Sequence, residues 1–387
     1  MKPAPNYILA IAMALPAALI GIEIPSWFLL ASRNLALQSD FGVFYTPGYM
    51  VRTRQAMDIY DLGKIRRNQA ERVSPDSVAV PFLHPAFESI LFVPLSLLPY
   101  RVAYLGWAAV NFAVLAGIYF VLRPRLEDFS ALGPAWILPA LLLGFIPIAF
   151  AILAGQDSLL LVLILALALR RIETNELLAG LVLGLGMSRF QVVLPIVLLF
   201  LLWGRLRLAA GWITSSVAML GVSAAITGIH AQVQYLILLR QMGALSYWPL
   251  LRRMPNLHGL FAALGFGKVA LVLVSAALFL AVAVIGWKRK AEQQFLFAIS
   301  ASCLLTYYIF LHDLSVLALP LLVSMDRATA NQHWGRWIMI SAVPALFPVL
   351  WFAPDRFYVG AAFTFGLLLI QALGLLAEGE DHPAAVC

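Results

Sequence analysis

Apolar runs close to twenty residues long recur along the whole chain, separated by short turns that collect its Lys and Arg. A run of that length matches the hydrocarbon thickness of a bilayer, where each segment must satisfy its own backbone hydrogen bonds. With 62% hydrophobic and 12% charged residues, the chain is excluded from the soluble globular class. The expected fold is an all-α polytopic membrane protein. Its formal net charge of +7 does not point to nucleic acid, because the basic residues lie in turns between apolar segments. Membrane lipids are the expected surroundings.

The bias of short-loop Lys and Arg toward the cytoplasm then orders about twelve spans. The first, 7–31, runs outward and carries Glu23; Ala12-Met13-Ala14 has the small-residue pattern of a cleavage site, but too little apolar sequence precedes it, so an uncleaved span is expected. The second, 102–122, ends at Arg123-Pro124-Arg125, and the third, 131–153, should be kinked by Pro134, Pro139 and Pro147. The fourth, 159–169, stops at Arg170-Arg171. From Leu177 to Trp203 the sequence is apolar except for Ser188-Arg189-Phe190-Gln191, and both flanks are basic. Two short helices meeting on the outer side at Arg189 fit this better than one span, which would put the arginine at mid-membrane for about 2.5–3.5 kcal/mol. Further spans follow at 208–228, from near Lys268 to Lys288-Arg289-Lys290, and at 293–311, 314–325, 337–353 and 358–377.

Residues 1–387 are thus read as a single integral membrane unit with two extracytoplasmic loops. The first, 32–100, is long and should contain interfacial helices, with Ala86 to Leu98 bracketed by Pro85 and Pro99. The second, 229–258, carries Tyr235, Tyr247 and Trp248 with Arg240, Arg252 and Arg253. Cys303 lies in a span and Cys387 is terminal, so neither has disulfide or metal-ligand spacing. No metal and no cofactor is expected.

The unusual polar groups share the outer face: Asp40, His84, Asp157, Arg189, the second-loop arginines, His312 and Asp313. Each has two readings. Asp40 is either a helix cap or an acid–base group. Arg189 either pairs with a carboxylate or lipid phosphate, or holds a substrate phosphate. His312 and Asp313 are either a hydrogen-bonded helix end or part of a site. Glu23 reads as a satisfied structural carboxylate. The glycines of Gly180-Leu181-Val182-Leu183-Gly184-Leu185-Gly186 follow no strand and read as helix packing, not as a nucleotide loop.

Ordered motifs carry a resemblance: Asp40-Phe41 followed by Phe44-Tyr45, Ile59-Tyr60-Asp61, His84-Pro85 with Phe92-Val93-Pro94-Leu95 and Leu98-Pro99, Gly155-Gln156-Asp157, Ala179-Gly180-Leu181-Val182-Leu183-Gly184-Leu185, and His312-Asp313-Leu314. From Asp40 to Pro320 the chain resembles glycosyltransferase family 87, a branch of the GT-C class. Two departures stand out. Arg189-Phe190 occupies the place of the family's Lys-Pro, and Leu83-His84-Pro85 that of its aromatic-x-Pro-Pro.

The resemblance implies a GT-C-like bundle in a bacterial plasma membrane, with its active site facing the periplasm or exterior. It also implies transfer of a hexose, mannose-like, from a polyprenyl-phosphate sugar donor to a glycolipid or glycan acceptor. Asp40 would be the base of an inverting reaction, with His312 and Asp313 assisting. Arg52, Arg54, His84, Gln156, Asp157 and Arg189 would bind substrate. A transporter or flippase of a lipid-linked sugar competes, as does a non-catalytic partner in envelope assembly. A carrier would bury ionisable groups near the midplane, where only Glu23 and Lys268 fall within spans.

Overall fold

The computed structural model describes residues 4–30, 37, 39–75, 80–244 and 251–380. Every regular element among them is helical. In chain order the main helices are α1 (Asn6–Leu30), α2 (Phe41–Arg52), α3 (Leu62–Arg72), α4 (Tyr100–Leu122), α5 (Ile137–Leu143), α6 (Ile146–Ala154), α7 (Ser158–Arg171) and α8 (Glu176–Gly184). They continue as α9 (Phe190–Leu202), α10 (Leu206–Ala244), α11 (Leu257–Leu264), α12 (Lys268–Ile285), α13 (Ala291–Leu305), α14 (Ala318–Ala330), α15 (Trp334–Leu346) and α16 (Gly360–Glu380).

Seven helical stretches are long and apolar enough to cross a membrane, or eight if the bent pair α5–α6 is one span. That is fewer than the twelve expected from hydropathy. The shortfall has two causes: α7, α13 and α14 are 14, 15 and 13 residues long, short of the roughly twenty a crossing takes, and Glu176–Leu202 counts once where the sequence reading has two helices. Several apolar helices nonetheless fit a multi-pass membrane protein. α12 is the clearest, since Val269, Val272, Leu273, Leu280 and Val284 on it are all more than half exposed, a surface suited to lipid and not to water.

The α5–α6 break bends the chain by 57°. Pro147 stands in the first turn of α6, where its missing N–H costs nothing and its ring prevents α5 from continuing. The stretch Glu176–Leu202 is 27 residues long and as a straight helix would span about 40 Å. Yet Arg205 Nη1 lies 2.7 Å from Glu176 Oε1, so its two ends meet on one face. The chain reverses through the 3-10 turn Leu185–Arg189, and Arg189 leaves helical geometry at φ −116, ψ 48.

The same face gathers the other basic turns. Arg125 and Arg327 both pair with Glu292, Glu292 N–H donates to Glu173, and Asp326 accepts from Phe129 N–H. The helices α8 and α10 run side by side at glycine contact. A Cβ on Gly180 would stand 2.0 Å from the Leu208 carbonyl oxygen, and one on Gly211 would stand 2.2 Å from that of Leu177. The glycine run is therefore a packing seam. Gly180→Ala should destabilise the detergent-solubilised protein by about 1–3 kcal/mol. Gly335→Ala, which meets nothing within 4 Å, should leave the thermal unfolding midpoint near that of the wild type. Equal midpoints for both variants would contradict this seam.

Both loops differ from their sequence reading. α10 continues to Ala244 past Gly228, whose φ of 77 and ψ of 161 only glycine adopts readily, so the second loop begins as a helix and not at residue 229. Tyr247 and Trp248 lie outside the described residues. The first loop is folded around its own aromatic core, separate from that of the bundle. Phe41, Phe44, Tyr45, Tyr60, Phe82 and Phe92 pack there against Tyr100, Tyr104 and Trp107 of α4. Its Ala86–Leu97 portion forms three short helical turns instead of one interfacial helix.

Candidate active site

Gly155 terminates α6 in left-handed geometry, φ +70, and a Cβ there would come within 2.6 Å of Phe41 Cβ. Only glycine allows this turn to approach the first loop so closely. The turn delivers Gln156 and Asp157, while Trp107 Nε1 and Asn111 Nδ2 of α4 donate to the Gln156 carbonyl at 3.2 and 3.0 Å. The Gln156 side chain is then aimed by its neighbours. Its Nε2 donates to Asp40 Oδ2 at 2.8 Å, and its Oε1 accepts from Arg189 Nη2 at 2.8 Å. A carboxylate on one side and a guanidinium on the other leave the amide a single orientation.

Asp40 occupies the N-cap position of α2, yet its carboxylate makes no capping hydrogen bond. It is half-buried at the edge of the cluster, turned toward Gln156. Arg189 is buried, at 4% exposure, and sits between two carboxylates: it pairs with Asp157 Oδ1, and its Nη1 meets Asp313 Oδ1 at 2.9 Å. Asp313 also accepts from Phe310 N–H at 2.9 Å and from Ser158 Oγ at 3.2 Å. His312 Nδ1 lies 2.9 Å from the same Ser158 hydroxyl. Burial works to raise the Asp157 carboxyl, but the adjacent guanidinium outweighs it and holds the group at about 2. The same contest, with Arg189 and His312 as the opposing charges, leaves Asp313 below the usual carboxylate range.

His84 joins from the first loop. Its ring is packed against Phe44 and Phe82, at centroid distances of 5.1 and 5.4 Å, and its carbonyl accepts from Tyr60 Oη at 2.9 Å. Burial and then the Arg189 charge push its imidazole down to about 4. Nδ1 of the ring faces Glu88 Oε2 at 2.8 Å. Glu88 is 1% exposed, and burial together with the neighbouring Asp157 pushes its carboxyl well above the ordinary range.

Of the residues singled out in the sequence, Asp40, His84, Gln156, Asp157, Arg189, His312 and Asp313 converge here. Arg52 and Arg54 do not. They stand at the far end of α2, about 18 Å along the helix from Asp40. There Arg52 donates to Ser96 Oγ and O at 3.0 and 3.1 Å and lies over the Tyr49 ring. Sequence reasoning missed Glu88, Ser158 and Tyr308, the last of which is half-buried near Asp313, Arg189 and Asp40. A signal for Glu88 existed: a lone carboxylate inside the apolar stretch 86–98, four residues after a histidine.

The site, a carboxylate at the margin of a buried, charge-paired cluster, lies across the bundle from the basic turns. No curated protein and no solved structure matches the chain. A family model does: residues 82–320 match glycosyltransferase family 87, a stretch that holds every converging residue except Asp40. That match covers more than half of the sequence, and together with the apolar helices it settles the class: the chain belongs to glycosyltransferase family 87 and is a membrane glycosyltransferase.

Proposed function

We propose that the protein transfers a hexose, mannose-like, from a polyprenyl-phosphate donor to a glycolipid or glycan acceptor on the non-cytoplasmic side of a bacterial plasma membrane. The observation that carries this reading is the uncapped Asp40 carboxylate, oriented by Gln156 beside the Arg189 cluster. In the reaction the acceptor hydroxyl gives its proton to Asp40 and its oxygen bonds to the anomeric carbon. The bond from that carbon to the phosphate oxygen breaks on the opposite face, so the configuration inverts and polyprenyl phosphate leaves. His312 and Asp313, tied to Ser158 and Arg189, orient the donor.

The orientation rests on the basic turns. Arg125, Arg205 and Arg327, joined through Glu292 and Gln294, mark one face, and short-loop basic residues favour the cytoplasm. Twelve passes follow if the short helices α7, α8, α9, α13 and α14 each count as one. The convergent Arg189–Asp157–Asp313 network favours an enzyme over a carrier, because its charges are tied to the outer ends of helices.

The test is incubation of the purified protein with polyprenyl-phosphate hexoses and an envelope glycolipid extract, with release of free polyprenyl phosphate as the readout. Release with formation of a glycosylated product is expected. Donor transport across proteoliposomes without release would replace this reading by the flippase. A second expectation concerns Gln156→Leu. It removes the bond that aims Asp40 while leaving the backbone contacts to Trp107 and Asn111, and misplacement of about 1 Å at a reacting group costs on the order of 100-fold. Turnover should fall by about 10- to 100-fold with donor KM little changed. A Gln156→Leu protein with normal turnover would mean that Asp40 is not held by this amide.

A further inference from the structure

Glu88 is buried in a way that ordinary packing does not explain. Neither of its carboxylate oxygens has a hydrogen-bond donor, although it is 1% exposed. Leaving a carboxylate in that state is costly. Its near neighbours are themselves acceptors. His84 Nδ1, also without a donor, is 2.8 Å away, and an Asp157 oxygen is within hydrogen-bonding reach. The His84 ring also bonds to the Ser188 carbonyl. With Nδ1 turned to Glu88, that bond falls to Nε2–H, so Nδ1 presents a lone pair to the carboxylate. A ring nitrogen anchored to a carbonyl in this manner is the usual support of a metal-binding histidine.

We infer that His84 Nδ1, Glu88 and Asp157 hold a divalent cation at the edge of the Arg189 cluster. Their ligand atoms lie within 4.8 Å of one another, against about 4 Å between opposite ligands at the usual bond lengths near 2.1 Å. A small rotamer adjustment closes the difference. One imidazole and two carboxylates suit Mn²⁺ or Zn²⁺.

Charge points the same way. Arg189 is already shared by Asp157 and Asp313, so an ionised Glu88 beside them adds a negative charge with no cation of its own, which a metal ion would supply. A single proton on Glu88 can bond either His84 Nδ1 or the Asp157 oxygen, so one of these two acceptor contacts stays unmade. A cation supplies both oxygens and the ring nitrogen at once.

If the glycosyl-transfer reading holds, the ion also supplies what the cluster otherwise lacks. Arg189 is neutralised by two aspartates and Arg52 and Arg54 are distant, so the ion would provide the positive charge that faces the donor phosphate.

The experiment uses the full-length protein in detergent, stripped with chelator, dialysed, and titrated with Mn²⁺ while free Mn²⁺ is followed by electron paramagnetic resonance. Zn²⁺ content is measured in parallel after reloading. The expected result is one tightly bound equivalent, with affinity lowered at least tenfold in Glu88→Gln. His84→Gln is a second variant should the first fail to fold, and size-exclusion profiles check both. No bound equivalent in the wild type, or unchanged affinity in a folded variant, overturns the site. The binding readout needs no donor. A bound ion in a protein that turns over no polyprenyl-phosphate sugar would therefore sink the functional reading and leave the site standing.

Discussion

In Asp40→Asn, sugar transfer falls by about 10²- to 10⁴-fold, the range that a positioned general base contributes. The substitution keeps the shape of the side chain and an oxygen that can still accept from Gln156 Nε2, so the 2.8 Å contact need not be lost. What disappears is the lone pair that takes the acceptor proton. Stability should hardly change, for two reasons. Asp40 makes no capping bond to α2, and it is half-buried and outside the Arg189 ion pairs. Donor affinity should also survive, since Asp40 stands outside the Arg189–Asp157–Asp313 cluster that we propose faces the donor. The decisive measurement is polyprenyl phosphate release from a purified variant whose elution profile and donor binding match the wild type. Turnover within a factor of a few of the wild type would remove Asp40 from the reaction and transfer the role to another group.

The features that sequence reveals here are those with a periodic or electrostatic cause. The reversal at Arg189 is legible because basic residues flank both ends of an apolar stretch, and the Glu176–Arg205 ion pair closes it. The Pro147 break and the Gly180 seam are legible because proline and glycine act through local geometry. Segment length proved a poorer guide: hydropathy counts α7, α13 and α14 as crossings, although each falls short of the usual span.

The first loop is less legible. Phe41 and Phe92 of the loop form a core with Trp107 of α4, and which rings meet is decided by contacts distant in sequence. Arg52 and Arg54 follow Asp40 closely in the chain, but a helix lies between. Spacing along the sequence was equally limited in reach. His84 and Glu88 are four residues apart, whereas Asp157 belongs to a different pair of helices.

The most severe structural effect should come from Arg189→Met. The guanidinium donates to Asp157, Asp313 and Gln156 from a site 4% exposed, and Glu88 adds a third acidic group beside it. Methionine fills much of the volume but leaves the carboxylates without their cation. Removing one partner of a buried ion pair costs about 3–5 kcal/mol, much of it the penalty on the charge left behind. The variant should therefore lose stability and activity together. Arg189→Lys should recover only part, because one ammonium cannot reproduce a fork that reaches two aspartates and an amide. Adding Asp313→Asn to Arg189→Met removes one stranded charge, so the double variant should be more stable than the single one. That non-additive recovery separates the two roles open to this arginine. A residue that holds the cluster together shows the recovery in thermal unfolding without any donor. A residue that binds donor phosphate would leave the unfolding midpoint in place and raise donor KM. Finding the second pattern would return Arg189 to the phosphate and remove the electrostatic need for a cation at Glu88.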